Sequence, residues 1–180
     1  MALSKNRRRE ISDLADAVRR VAGEGDTVLD VDRIVEVLGG RIVEVGAPDA
    51  HQMIGDASIQ KVGDKFEIRV TEVSAARRRF NIAHELGHLF LHMGFLVDDV
   101  RWAACSDFDV MNRDGASTSE EYEANEFAGA LLMPEQAFLR IASVNRQGTT
   151  FDTQEIADAF GVSVPAARTR GRWLGIFSWN

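Results

Sequence analysis

Residues 84–88 read His-Glu-Leu-Gly-His, and this short run constrains the fold more than any other stretch of the chain. On a helix, positions four apart lie ~6 Å apart along the axis and ~40° apart around it, so His84 and His88 face the same way. Two imidazoles at that spacing can bind one metal ion, and Glu85 beside them can serve as general base toward water. The chemistry requires the run to be helical. With Ser74 as N-cap, Phe80, Ile82, Ala83, Leu86, Leu89 and Phe90 form a broad apolar face, which predicts a long helix ending near Met93-Gly94. Gly87 leaves room for close approach to the helix.

A catalytic zinc commonly takes three protein ligands and keeps one position for water. The third is sought on a second predicted helix that opens at Ser119 and carries Ala124, Phe127, Ala128, Leu131 and Leu132. Glu120, Glu121, Glu123 and Glu126 lie on it, 32 to 38 residues after His88. Glu121 shares its face with Ala124, Asn125 and Ala128. Small residues there permit close helix packing, and Asn125 can hold a histidine or carboxylate from behind. Glu123 shares a face with Phe127 and Ala130 and is the alternative ligand. Glu120 and Glu126 read as a solvated face. His92 cannot join His84 on one ion, because eight residues span ~12 Å of helix; it reads as a helix-end residue. His51 reads as a surface residue, Cys105 as a thiol in or near the core, and Tyr122 as a packing residue.

The rest of the chain reads as alternating helices and strands. Ile11, Leu14, Ala15, Val18, Val21 and Ala22 predict an amphipathic helix ending near Gly23 and Gly25. Val31 to Leu38 predicts a second, stopped by Gly39-Gly40. Ile42, Val43 and Val45 read as a strand, and Met53 to Val62 and Phe66 to Val70 as a hairpin about Gly63-Asp64. Residues 95–119 read as irregular, with one strand at Phe108 to Met111. Met133-Pro134 ends one helix or begins the next. The expected fold is α+β, with helices on both sides of a small antiparallel sheet.

Composition narrows the function classes. Cys105 is the only cysteine, which excludes an intramolecular disulfide and thiolate zinc fingers. No run reaches the ~18 apolar residues of a membrane span, so a cytoplasmic protein is expected. With 21 Lys and Arg against 28 Asp and Glu, the net charge is -7, a poor match to polyanions. The 180 residues suit one domain with a small appendage. The expected division is a main domain over 1–150, which carries the His84–His88 helix, and a helical pair over 151–180 packed on the same core. That pair, about Thr153–Phe160 and Val164–Leu174, is helix-turn-helix-like, with Gly161 in the turn, Ser163 as cap and Pro165 in the first helical turn. On DNA it would present Arg168, Arg170 and Arg172, but Asp152, Glu155 and Asp158 cancel their charge. DNA binding is therefore not expected.

Two stretches carry a family resemblance. Arg79-Phe80-Asn81-Ile82-Ala83-His84-Glu85-Leu86-Gly87-His88-Leu89-Phe90-Leu91-His92 resembles the signature helix of the ImmA/IrrE metallopeptidases. Glu121-Tyr122-Glu123-Ala124-Asn125-Glu126-Phe127-Ala128-Gly129-Ala130-Leu131-Leu132-Met133-Pro134 resembles their second motif, and Asn112-Arg113-Asp114 looks like the stretch before it. Gly129 stands where alanine is usual. The resemblance implies a zincin-like peptidase with His84 and His88 as metal ligands, Glu85 as base and Glu121 as third ligand, although the family pattern has glutamates at both Glu121 and Glu123. It implies zinc, with manganese or iron suited to the same donors. It further implies cleavage of a protein substrate, a helix-turn-helix repressor encoded nearby, that derepresses stress or mobile-element genes. The competing reading is a DNA-binding or toxin–antitoxin regulatory module that keeps the metal without turnover.

Overall fold

The structure is a computed structural model that describes residues 3–21, 23, 28–46, 55–105, 110–111 and 118–178. Gly25, His51, Met53, Phe108 and Asn112-Arg113-Asp114 lie outside the described residues.

Apart from a short helix over 99–104, in a stretch expected to be irregular, the helices lie where apolar periodicity puts them. Helix α1 spans Lys5–Val21 and α2 spans Val31–Val37, the latter opened by the Asp30 carboxylate, which accepts from the backbone amides of Asp32 and Arg33. The strands are β1 (Arg41–Val45), β2 (Ala57–Val62), β3 (Lys65–Thr71) and β4 (Val110–Met111). Helix α3 spans Ala75–Leu91, and Ser74 sits at its N-cap without a side-chain cap bond. Then follow α4 (Asp99–Ala104), α5 (Thr118–Leu132) and α6 (Glu135–Val144). A two-residue hairpin, β5 (Arg146–Gln147) and β6 (Thr150–Phe151), leads into α7 (Thr153–Phe160) and α8 (Val164–Trp173). Among the described residues no helix is long and apolar enough to cross a membrane.

The fold is α+β, and its sheet differs from the expected antiparallel one. The strand order is β1-β3-β2-β4. The tight Gly63-Asp64 connection makes β2 and β3 antiparallel, and β2 pairs with β4 antiparallel. Strand β1 passes over its sequence neighbour to pair with β3, in parallel. Alternation of apolar residues specifies which face a strand buries but not its direction, so the mixed topology left no mark in the pattern.

Phe66, Ile68 and Val70 of β3 and Ile59 of β2 turn inward, into one cluster with Ile82, Leu86 and Leu89 of α3. Residues 81–90 of α3 are all buried, as befits a helix sandwiched between the sheet and α5. Lys61 also lies on the inward side, opposite Phe66. Its Nζ donates to the carbonyls of Trp102 at 2.8 Å and Cys105 at 3.1 Å, and so closes the end of α4.

The last two helices dock on this core through specific contacts. Phe160 stacks on Phe138 of α6 with ring centroids 5.8 Å apart. Arg79 of α3 reaches the Phe160 carbonyl at the end of α7, where Gly161 takes the left-handed φ of 60° that reverses the chain. From α8, Arg170 donates to the Met133 carbonyl and to Glu126 of α5, each at 3.0 Å. Both side chains of that ion pair are buried, so each meets its hydrogen-bonding needs largely within the protein.

Candidate metal centre

Helix α3 presents His84 and His88 on one face, 4% and 2% exposed. Glu121 projects from the first turn of α5 to meet them. His84 Nε2 lies 3.4 Å from Glu121 Oε2, and His88 Nε2 lies 3.3 Å from Glu121 Oε1. The two Nε2 atoms are 3.1 Å apart. Ligands 2.0–2.1 Å from a tetrahedral ion would stand ~3.4 Å from one another, so these three edges match one face of such a site. Two imidazole nitrogens and one carboxylate are also the donor set of a catalytic zinc. Among the described residues His84, His88 and Glu121 form the group of three that could hold a metal ion.

The far side of each ring decides which nitrogen is available. His84 Nδ1 faces Asn125 Oδ1 at 3.1 Å. Donation to that oxygen puts the ring proton on Nδ1 and leaves the Nε2 lone pair directed at the centre. His88 Nδ1 faces His92 Nδ1 at 2.9 Å, and His92 Nε2 faces Glu123 Oε2 at 3.4 Å. With the His88 Nε2 lone pair on the metal side, His88 Nδ1 donates to His92, and His92 Nε2–H points at Glu123. Glu123 is gripped in turn by Arg7 of α1, whose Nε donates at 2.8 Å and Nη2 at 2.7 Å. One line of contacts thus runs from His88 through His92 and Glu123 to Arg7.

Electrostatics favour the same protonation states. Burial, reinforced by the neighbouring His84 and His92, pushes the His88 pKa down to about 3. Burial also lowers that of His92. Both rings are therefore neutral at physiological pH, as ligation and relay require. The Arg7 hydrogen bonds hold the Glu123 carboxyl below its ordinary value.

The structure brings together His84, His88 and Glu121. It sets Glu123, the alternative from the sequence, on Arg7 and His92 instead. Glu85 sits beside His84 on α3 and is 3% exposed. Asn125 stands behind His84, where its place on the Glu121 face puts it. Glu126 differs from expectation: it is buried against Arg170 rather than solvated. His92 is the C-cap of α3, the helix-end place expected of it, and its side chain, 6% exposed, also joins the polar line. Cys105 lies apart, its Sγ directed at the Met93 carbonyl at 3.7 Å. Sequence reading missed Arg7, which is separated from Glu123 by 116 positions.

The sequence profile of the Peptidase_M78 family, the IrrE N-terminal-like domain, matches residues 68–171. The chain belongs to this family. The M78 match takes in both metal-site helices and most of the terminal helix pair, and it carries a metallopeptidase type of function with it. Arg7, at the end of the polar line, lies outside the matched M78 region. No curated protein matches the chain.

Proposed function

We propose that this chain is a metal-dependent endopeptidase, zinc being the default ion, that cleaves a protein substrate, a helix-turn-helix repressor encoded beside it. The observation that carries this reading is the triangle of His84, His88 and Glu121, with both histidine tautomers set from behind so that Nε2 is free to ligate. A divalent cation bound there supplies Lewis acidity to the scissile carbonyl and to water. Glu85 accepts a proton from the attacking water on its carboxylate and passes it to the leaving amine nitrogen. Asn125 and the His92–Glu123–Arg7 line keep the two imidazoles oriented. The substrate lies extended, so that one carbonyl reaches the centre.

A DNA-binding role draws little support from the helix pair. Of its three arginines, Arg170 is 5% exposed and turned into the core, where it cannot neutralise a phosphate. An intact Glu85 favours turnover over a purely structural metal, which needs no base beside it.

The deciding experiment uses Glu85→Gln. The amide keeps the shape of the side chain and cannot take a proton from water. Metal content should stay near wild type, while cleavage of the neighbouring repressor, followed by gel with and without chelator, falls by at least ~10²–10⁴-fold. Wild-type protein that yields no product, together with full biological activity of Glu85→Gln in cells, would falsify the peptidase reading.

A further inference from the structure

A cavity of about 860 Å³ adjoins the candidate metal centre, between the first turns of α3, one stripe of α5 and one side of α8. Phe80, Asn81, Tyr122, Gly129, Thr169 and Trp173 are among its walls. It is tied to the ligand cluster twice. Asn125, which faces His84 Nδ1, also lines it, and Tyr122 follows Glu121 directly. Its volume falls within the roughly 300–1,000 Å³ of ordinary ligand sites, and its walls are mainly apolar.

Within those walls two buried donor atoms have no hydrogen-bond partner among the described residues, Asn81 Nδ2 and Arg8 Nε. Asn81 is 6% exposed and stands three residues before His84 on the same helix. The Arg8 guanidinium lies 3.5 Å over the Trp173 ring. Leaving such a buried donor unpaired is costly, and a carbonyl oxygen entering the cavity would satisfy it. The other two arginines on the wall are paired, Arg77 with Asp56 and Arg170 with Glu126. The cavity is therefore built for apolar groups and neutral acceptors, not for a chain of phosphates. Apolar side chains with carbonyl oxygens beside a peptidase centre describe a stretch of polypeptide.

We propose that this cavity is a substrate subsite. It receives a large apolar side chain next to the scissile bond, a backbone carbonyl of that segment accepts from Asn81 Nδ2, and α8 is the outer wall. The helix-turn-helix-like pair then serves to select substrate. This inference rests on the peptidase reading above.

The test uses the zinc-loaded full chain and a panel of blocked peptides that differ only in carrying Phe, Leu, Ala or Asp beside the bond. Wild-type protein should cut the Phe and Leu members best. Thr169→Trp, at a solvent-exposed position of the cavity wall, fills the cavity and should lower the Phe-to-Ala ratio of kcat/KM by tenfold or more, with metal content unchanged. Asn81→Leu removes a buried unpaired donor, so its Tm should hold or rise. Its KM for the Phe peptide should nonetheless rise several-fold, up to about tenfold. A Tm loss with unchanged KM marks a purely structural residue and overturns the role of Asn81. An unchanged residue preference in Thr169→Trp overturns the subsite. If the wild type cuts no peptide, calorimetric binding to Glu85→Gln separates the two ideas. Binding of Phe peptides that Thr169→Trp abolishes keeps the cavity and sinks the peptidase, and binding by neither protein sinks the subsite.

Discussion

A methyl group on Gly87 would stand 2.9 Å from the Cα and 3.1 Å from the carbonyl oxygen of Ala124. The two helices that carry the candidate ligands touch backbone to backbone at this point, one residue before His88 and three after Glu121. The Glu121 side chain is short, and it reaches both imidazoles because nothing larger than hydrogen separates the helices there.

Gly87→Ala should therefore push α3 and α5 apart. Overpacking against backbone, which cannot swing aside, costs about 1–3 kcal/mol, and metal affinity should fall with it. Gly129 is the control. A methyl group there would meet only the Arg170 Cδ, at 3.8 Å, so Gly129→Ala should stabilise by about 0.5–1 kcal/mol through helix propensity. Urea midpoints and metal titrations of the two variants check both statements. Equal midpoints would mean that the contact does not control helix spacing.

Metal content should sort the glutamates. His84→Ala and His88→Ala should abolish binding of about one ion per chain, and Glu121→Ala should weaken it severely. Glu123→Ala should keep the stoichiometry and lower affinity by about tenfold or less, below the roughly 10–100-fold usual for a direct partner of a ligating histidine, because it acts through His92. Arg7→Ala should act in the same direction and add little to Glu123→Ala, since both lie on one line. Elemental analysis that finds metal in Glu121→Ala and none in Glu123→Ala would reverse the assignment.

Much of this centre was legible in the sequence. His84, Glu85 and His88 announce themselves by spacing, and Glu121 emerged because Ala124, Asn125 and Ala128 share its face. What escaped was either short or distant. Helix α4 has six residues and none is buried, so no periodicity betrays it; the structure shows Asp98 capping its start, with a carboxylate that accepts from the Arg101 amide. The β5–β6 hairpin pairs two residues with two, too few for alternation to be read. Arg7 and Lys61 act through chain-distant partners, and no local pattern says where a lone cation will go.

The arginines of α8 should separate by role. Arg170→Ala leaves Glu126 buried without its partner and should cost about 3–5 kcal/mol. Arg168 is exposed, and Arg168→Ala should change stability by no more than about 0.5 kcal/mol. Neither Arg168→Ala nor Arg172→Ala should alter duplex DNA binding at physiological salt. Sub-micromolar binding by the wild type, steeply salt-dependent and lost in these variants, would restore the DNA reading.

The metal-free protein should lose stability as pH falls. His88 is pushed from the ordinary 6.5 to about 3 in the folded state, so between those values the unfolded chain binds more protons than the native one. The contribution is fully present above 6.5 and is lost progressively toward 3. His92 shifts in the same direction, and the depressed Glu123 carboxyl adds a loss below its ordinary 4.5. Thermal unfolding of chelated protein across this range checks the slope. His88→Gln, which cannot titrate there, should flatten it.

The Arg170 clamp also has a bearing on timing. A ribosome makes both histidines and Glu121 well before it reaches residue 164, so an unfinished chain already possesses its candidate ligands. Until α8 emerges, however, Glu126 has no cation to face and the Met133 carbonyl lacks the guanidinium that holds it. The brace on the helix that carries Glu121 is thus translated after the candidate ligands themselves, so the full support of that helix waits on the last helix of the fold.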